Sequence, residues 1–225
     1  LRTVKGLEAG LMVDIETIIF DVDGTLVDSR KDIVKAVHHA LRAVGLEEKS
    51  SDQIITTLGM DIEDFILKCI GRRHRNLLHD AVDSFTEYFL KHAADESKLY
   101  PHVKEVLRYF QYKRKFVVTN RKKNITKATL KKLGVMNYFE DIFGADDETC
   151  MKPSVCPIDR LSARHGFVKE KTMIVGDMDI DIMTGKNFGI KTCWVSYGLG
   201  KKEDVEGLRP DFTVDDIREL ERIIR

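Results

Sequence analysis

The run Ile18-Ile19-Phe20, followed at once by Asp21-Val22-Asp23-Gly24-Thr25, constrains this chain more than any other segment. Three consecutive large apolar residues bounded by a turn read as a short, fully buried strand. A strand of that kind carries the residues after it to the carboxyl edge of a sheet, where open α/β folds bind their ligands. Here those residues include two carboxylates two positions apart, and crowded acids need a cation. Gly24 allows a tight turn whose amides can face an anion. A metal ion and a phosphate both suit that edge. The same residues are also good turn formers and could simply end a strand. A calcium loop is a further metal reading, but it needs more oxygen ligands and a distal Glu, which Thr25-Leu26-Val27 does not begin to supply.

The remainder of the chain decides between these readings. Ile33, Val37, Ala40, Leu41 and Val44 recur at helical spacing and Gly45 comes after them as a stop. Helical patterns continue over about 52–70 and 76–92, the latter with a stripe of Leu77, Leu78, Ala81, Val82, Phe85, Tyr88 and Phe89. Residues 30–97 therefore read as an all-helical insert closed by Tyr100-Pro101. Alternation begins there: helix near 103–113, strand 116–118, helix 124–133, strand 142–143, helix 157–165, strand 173–175, helix 179–188 and strand 192–195. Short strands and helices in turn indicate an α/β fold with a parallel sheet covered on both faces. The strand near 15–20 joins that sheet, giving a core of 12–29 and 98–225 with an inserted helical domain over 30–97.

Composition narrows the function classes. Thirty-seven basic and thirty-seven acidic residues cancel over 225 positions, which argues against a general nucleic-acid or membrane-surface binder. No apolar run approaches the roughly 20 residues of a membrane span, and no signal-peptide pattern opens the chain, so a cytoplasmic protein is expected. Cys69, Cys150, Cys156 and Cys193 lack zinc-site spacing and are expected as reduced structural thiols. Leu1 to Leu11 precede Met12 and read either as an extension or as a cloning remnant.

Later strands end in polar groups of their own. Thr119-Asn120 come directly after Phe116-Val117-Val118 and offer a hydroxyl and an amide, or a plain helix cap. Lys152-Pro153 presents an ammonium from a stiffened loop. Gly176-Asp177 come after Met173-Ile174-Val175, with Asp181 four residues on, as a second acidic pair or as helix caps.

In their order and spacing these groups resemble the four motifs of the haloacid dehalogenase superfamily: Asp21-Val22-Asp23-Gly24-Thr25, then Thr119, Lys152, and Gly176-Asp177 with Asp181. The resemblance covers nearly all of residues 15–215. It implies a Rossmann-like core with a helical cap, and Leu26-Val27-Asp28-Ser29 with Asp32-Ile33 resembles the phosphoglycolate phosphatase-like branch. It further implies a phosphatase working through an aspartyl-phosphate, with Asp21 as nucleophile and Asp23 as acid and base. Magnesium (Mg2+) would be held by Asp21, the Asp23 backbone carbonyl and Asp177, with Asp181 supporting them. Thr119, Asn120 and Lys152 would bind the phosphoryl oxygens. Dehalogenases of the superfamily lack the second acid, so Asp23 favours phosphate chemistry.

The expected substrate is a small phosphorylated metabolite such as phosphoglycolate. Inorganic pyrophosphate or a nucleotide is the alternative, and a sugar-phosphate mutase or a non-catalytic binding protein stands further off. Ile33 occupies the place where related mutases carry a His. Leu58-Gly59-Met60-Asp61 lacks the Gly-x-Gly form of the resembling phosphatases, and Asp61 is a poor neighbour for a carboxylate. Val155 and His102 stand where Pro and Gly are expected. Arg72, Arg73 and Arg75 either bind a second anionic group or form a solvated turn. Lys122-Lys123 and Lys131-Lys132 read as solvated helix faces, His38-His39 as surface or packing residues, and Trp194 as packing. Hinges are expected at 28–30 and 99–101. Oligomeric state is not legible.

Overall fold

A computed structural model describes residues 12–59, 61–92, 94–146 and 149–225. In chain order the first half comprises β1 (Thr17–Phe20), β2 (Val27–Asp28), α1 (Arg30–Ala43), α2 (Ser51–Ile55), α3 (Ile62–Ile70), α4 (Leu78–Lys91), β3 (Lys98–Leu99) and α5 (Val103–Tyr109). The second half comprises β4 (Arg114–Val118), α6 (Lys123–Lys132), β5 (Asp141–Phe143), α7 (Cys156–His165) and β6 (Thr172–Gly176). It ends with α8 (Asp179–Phe188), β7 (Lys191–Val195), α9 (Lys202–Glu206), β8 (Phe212–Val214) and α10 (Leu220–Ile223).

Six strands form one parallel sheet in the order β5-β4-β1-β6-β7-β8. All four residues of β1 are buried, and side chains alternate between faces. Ile18 and Phe20 pack with Val106, Leu107 and Leu220, while Ile19 packs with Phe116, Ile174 and Ile158. Each such side chain, fully buried, contributes about 1.5–3 kcal/mol. Register then fixes the site, because Phe20 lies opposite Val117 of β4 and Val175 of β6. Asp21 is thus level with Val118 and Gly176, and Thr119 and Asp177 stand one residue further along the same edge.

Helices α1 to α4 build a separate apolar cluster from Ile33, Val37, Leu41, Phe65, Phe85 and Phe89, touching Ile125 of α6. Phe85 meets Phe65 edge-on at 5.8 Å and Phe89 at 5.4 Å. The two chain crossings into this segment are tied together. β2 and β3 pair antiparallel, Val27 opposite Leu99. Just beyond, the buried Asp32 carboxylate accepts hydrogen bonds from Ser97 N at 2.8 Å, Ser97 Oγ at 2.5 Å and Glu96 N at 3.0 Å.

Several sequence expectations are corrected. The helix expected over 52–70 is broken after Ile55, because Thr56 and Thr57 turn their hydroxyls back onto the Gln53 and Ile54 carbonyls at 3.1 and 2.7 Å. Asp61 then caps α3, accepting from Asp64 N at 2.9 Å. The helix expected from 76 begins at Leu78 after a 3₁₀ turn, Arg72–Leu77. The helix expected to 113 stops at Tyr109, where Lys113 N turns back to Phe110 O at 2.9 Å. Strands β2, β3 and β8 are not expected from the sequence, being two or three residues long and too short to show a period. Residues 1–11 and Met60 lie outside the described residues.

Cys150 and Cys156, expected as thiols, form a disulfide with Cα atoms 5.2 Å apart. The chain doubles back between them, Ser154 N bonding Met151 O at 2.8 Å, and sequence spacing alone does not show such a turn. Cys69 and Cys193 are free and buried, as expected.

Candidate active site

The sheet edge gathers side chains from five parts of the chain. Lys152 Nζ lies 2.6 Å from Asp181 Oδ1 and 2.7 Å from Asp21 Oδ1, and none of the three side chains is more than 8% exposed. The contact to Asp181 is a hydrogen bond. That to Asp21 is off hydrogen-bond alignment, so Asp21 Oδ1 is a buried carboxylate oxygen held by charge alone.

Asp177 turns away from capping α8, whose N-cap is Met178. Its carboxylate accepts from Thr25 Oγ1 at 2.9 Å, Leu199 N at 2.7 Å and Gly200 N at 3.2 Å. The approach demands glycine. A Cβ on Gly24, at φ +87°, would stand 2.1 Å from Asp177 Oδ2, and one on Gly200 would stand 2.0 Å from Asp177 O. Trp194 does more than pack, since its Nε1 donates to that carbonyl at 2.7 Å. Asp181 accepts from Met178 N at 3.0 Å at the start of α8.

Carboxylate oxygens of Asp21, Asp177 and Asp181 lie within 4.8 Å of one another. Among the described residues, these three buried acids face one ammonium, which leaves negative charge uncompensated. Burial, then the charges of Asp181 and Asp21, push Asp177 well above the usual carboxylate range. Burial also raises Asp181, against the pull of Lys152. Burial would lower Lys152, but Asp181 and Asp21 outweigh it and hold the ammonium above its usual range. A set of hard oxygen donors with excess negative charge fits a divalent cation such as magnesium or manganese.

The Asp23 carboxylate does not join that cluster. It accepts from Ser29 Oγ and from the Arg121 guanidinium. Burial nevertheless raises its pKa, outweighing Arg121 and Ser29. Sequence reasoning does not single out Arg121. Its guanidinium also donates to Thr129 Oγ1 at 3.0 Å and lies 4.7 Å over the Phe89 ring of α4, linking Asp23 to the helical segment. Its only sequence signal is its place directly after Thr119-Asn120, inside a Lys-rich stretch.

Thr119 is buried beside the strand of Asp21, its Oγ1 accepting from Arg121 N at 3.2 Å. Asn120 clamps the Lys152 backbone, its Nδ2 donating to Lys152 O at 3.0 Å and its Oδ1 accepting from Lys152 N at 2.9 Å. Thus Asn120 aims Lys152 in addition to lining the site. Lys122, expected on a solvated face, lines the cavity, and Lys123 is half-buried and paired with Asp141 at 3.3 Å. The cavity has a volume of about 110 Å³ and is floored by Asp21, Asp23, Thr119, Arg121 and Lys152. Arg72, Arg73 and Arg75 are exposed and outside its lining.

Residues 18–195 match the family model described as haloacid dehalogenase-like hydrolase. A phosphoglycolate phosphatase of Aquifex aeolicus is 32% identical over 212 residues, covering 93% of this chain and 97% of that protein. One from Vibrio cholerae is 30% identical, covering 95% and 98%. A crystal structure from Haemophilus somnus, described as a predicted phosphoglycolate phosphatase, superposes with a TM-score of 0.85 at 24% identity, covering 94% of this chain and 98% of that one. A haloacid dehalogenase-like hydrolase from Streptococcus pneumoniae gives 0.81 at 22% identity, covering 90% and 94%. The structural likeness bears on the fold, and the parallel six-stranded α/β core is common to them.

Proposed function

The chain belongs to the haloacid dehalogenase-like hydrolases, and from that premise we propose that it is a magnesium-dependent phosphatase of small phosphomonoesters working through a phosphoryl group on Asp21. The observation that carries the reading is the buried set of Asp21, Asp177 and Asp181 around the Lys152 ammonium. The phosphoglycolate phosphatases among its relatives support the same reaction class.

Asp21 attacks phosphorus, and the bond from phosphorus to the ester oxygen breaks. Asp23 gives its proton to the departing alkoxide. Asp23 then takes a proton from water, whose oxygen attacks the phosphoryl-aspartate and frees Asp21 with inorganic phosphate. Lys152 and Thr119 face the phosphoryl oxygens, Asn120 aims Lys152, and Arg121 with Ser29 sets the position of Asp23. Asp21, Asp177 and the Asp23 carbonyl would hold magnesium, with Asp181 steadying Lys152 beside them. Magnesium there would neutralise the negative charge that keeps an anionic nucleophile from an anionic substrate.

Residues 30–97 act in this reading as a cap over the core of 12–29 and 98–225, moving about the paired connectors β2 and β3 and excluding water when closed. The experiment is phosphate release from a panel of phosphomonoesters with and without magnesium. Magnesium-dependent turnover that Asp21→Asn abolishes supports the reading. Turnover that survives Asp21→Asn, or that is unaffected by chelation, refutes it.

A further inference from the structure

The walls above the phosphoryl end differ sharply in chemistry from its floor. From the helical segment Ile33, Leu58, Ile62, Phe65, Phe85 and Phe89 line the cavity, and among the described residues the only charge that segment adds to the lining is Asp61. The cations lining the cavity come from the core. Lys152 is held by Asp21 and Asp181, and Arg121 by Asp23, which leaves Lys122 beside Arg121 at the start of α6. The arginines of the helical segment that could have met a second anion, Arg72, Arg73 and Arg75, stand outside the cavity. A leaving group reaching upward from phosphorus toward the helical segment therefore meets aliphatic and aromatic surface and the negative charge of Asp61, while Lys122 stays on the core side beside Arg121.

We infer that the physiological leaving group is a mainly apolar alcohol without a second anionic group, and that Asp61 is the residue that excludes carboxylates. This rests on the phosphomonoesterase reading above and sets the substrate class apart from that named for the relatives, since phosphoglycolate would carry its carboxylate to the wall bearing Asp61. Asp61 also caps α3, and Asn serves that cap as well, so Asp61→Asn removes the charge while keeping the helix start.

The test compares kcat/KM for ethyl, n-propyl and n-butyl phosphate with that for phosphoglycolate, in wild type, Asp61→Asn and Lys122→Met. The expected result is a rise of about fourfold per added methylene. Phosphoglycolate falls at least about tenfold below butyl phosphate, and Asp61→Asn narrows that ratio by about tenfold. A flat alkyl series overturns the inference. So does phosphoglycolate turnover at or above that of butyl phosphate, particularly if Lys122→Met abolishes it, and in that case the phosphatase reading stands. Release of phosphate from none of the esters overturns the reading beneath the inference instead.

Discussion

Replacing Asp177 by Asn should make the metal-free protein more stable while removing its response to magnesium. Two unit charges 4.8 Å apart, the outer limit of the carboxylate cluster, repel by about 3.5 kcal/mol at an effective dielectric near 20. Asp177 faces two such neighbours, Asp21 and Asp181. Part of that repulsion is already relieved by its raised pKa, and the substitution weakens three hydrogen bonds to a charged acceptor by roughly 1 kcal/mol each. Asn suits the cradle nonetheless. Its oxygen can keep the Leu199 and Gly200 amides, and its NH₂ can donate to the Thr25 hydroxyl once that rotates. The net gain comes to roughly 1–3 kcal/mol, or about 2–12 °C in melting temperature for a chain of this size. The assay is thermal unfolding in chelator and across a magnesium titration. Wild type should rise with magnesium, as any site formed only in the native state requires, and Asp177→Asn should not. A variant that melts below wild type in chelator, or that still gains stability with magnesium, refutes the charge argument.

Three further outcomes concern other parts of the molecule. His102 sits at φ 65°, a left-handed position where the family resemblance favours Gly, so His102→Gly should raise stability by about 0.5–1 kcal/mol in urea unfolding; a loss above that size contradicts it. Burial tends to raise Asp141, but hydrogen bonds from His165, Ile142 N, Arg164 and Lys123 outweigh it and hold the carboxyl well below its usual range. Its contribution is therefore complete above the unfolded pKa near 3.9 and is lost as pH falls through the lower folded value. Asp141→Asn should thus cost stability at neutral pH and progressively less below about pH 4, and a deficit unchanged down to pH 2 is the refuting result. Closing the short Cys150–Cys156 loop should contribute about 2 kcal/mol, so a reductant should lower the melting temperature of wild type and leave Cys150→Ser/Cys156→Ser unmoved.

The parts of this fold that can be read from sequence are those carried by short-range pattern. β1 is an unbroken apolar run and the acids come directly after it, so Asp21 can be placed at a sheet edge without any knowledge of its neighbours. Asp177 and Lys152 can be assigned to the same edge from their order after strands. Arg121 cannot, because its burial depends on Phe89, thirty-two residues earlier on another helix, and on Asp23. The break between α2 and α3 is hidden because apolar spacing continues across Thr56 to Asp61, where the hydroxyl back-bonds, Gly59 at φ +96° and the Asp61 cap interrupt the helix. The Cys150–Cys156 pairing depends on a local turn that spacing does not encode. Asn120 reads as a phosphate donor from its position, whereas its clamp on Lys152 bridges thirty-two residues of sequence.

A phosphoryl group on Asp21 can be caught by quenching Asp23→Asn with acid during exposure to p-nitrophenyl phosphate and magnesium, digesting it, and locating any added phosphoryl group by mass spectrometry. The nitrophenolate leaves without a proton, so the intermediate still forms, whereas loss of the base slows its hydrolysis by about 10²- to 10⁴-fold. A phosphoryl group is expected on the peptide containing Asp21, at Asp21 itself, and none in Asp21→Asn. Steady phosphate release by wild type with no phosphoryl group on Asp21 under any quench, or with the group on another residue, would contradict Asp21 as the nucleophile.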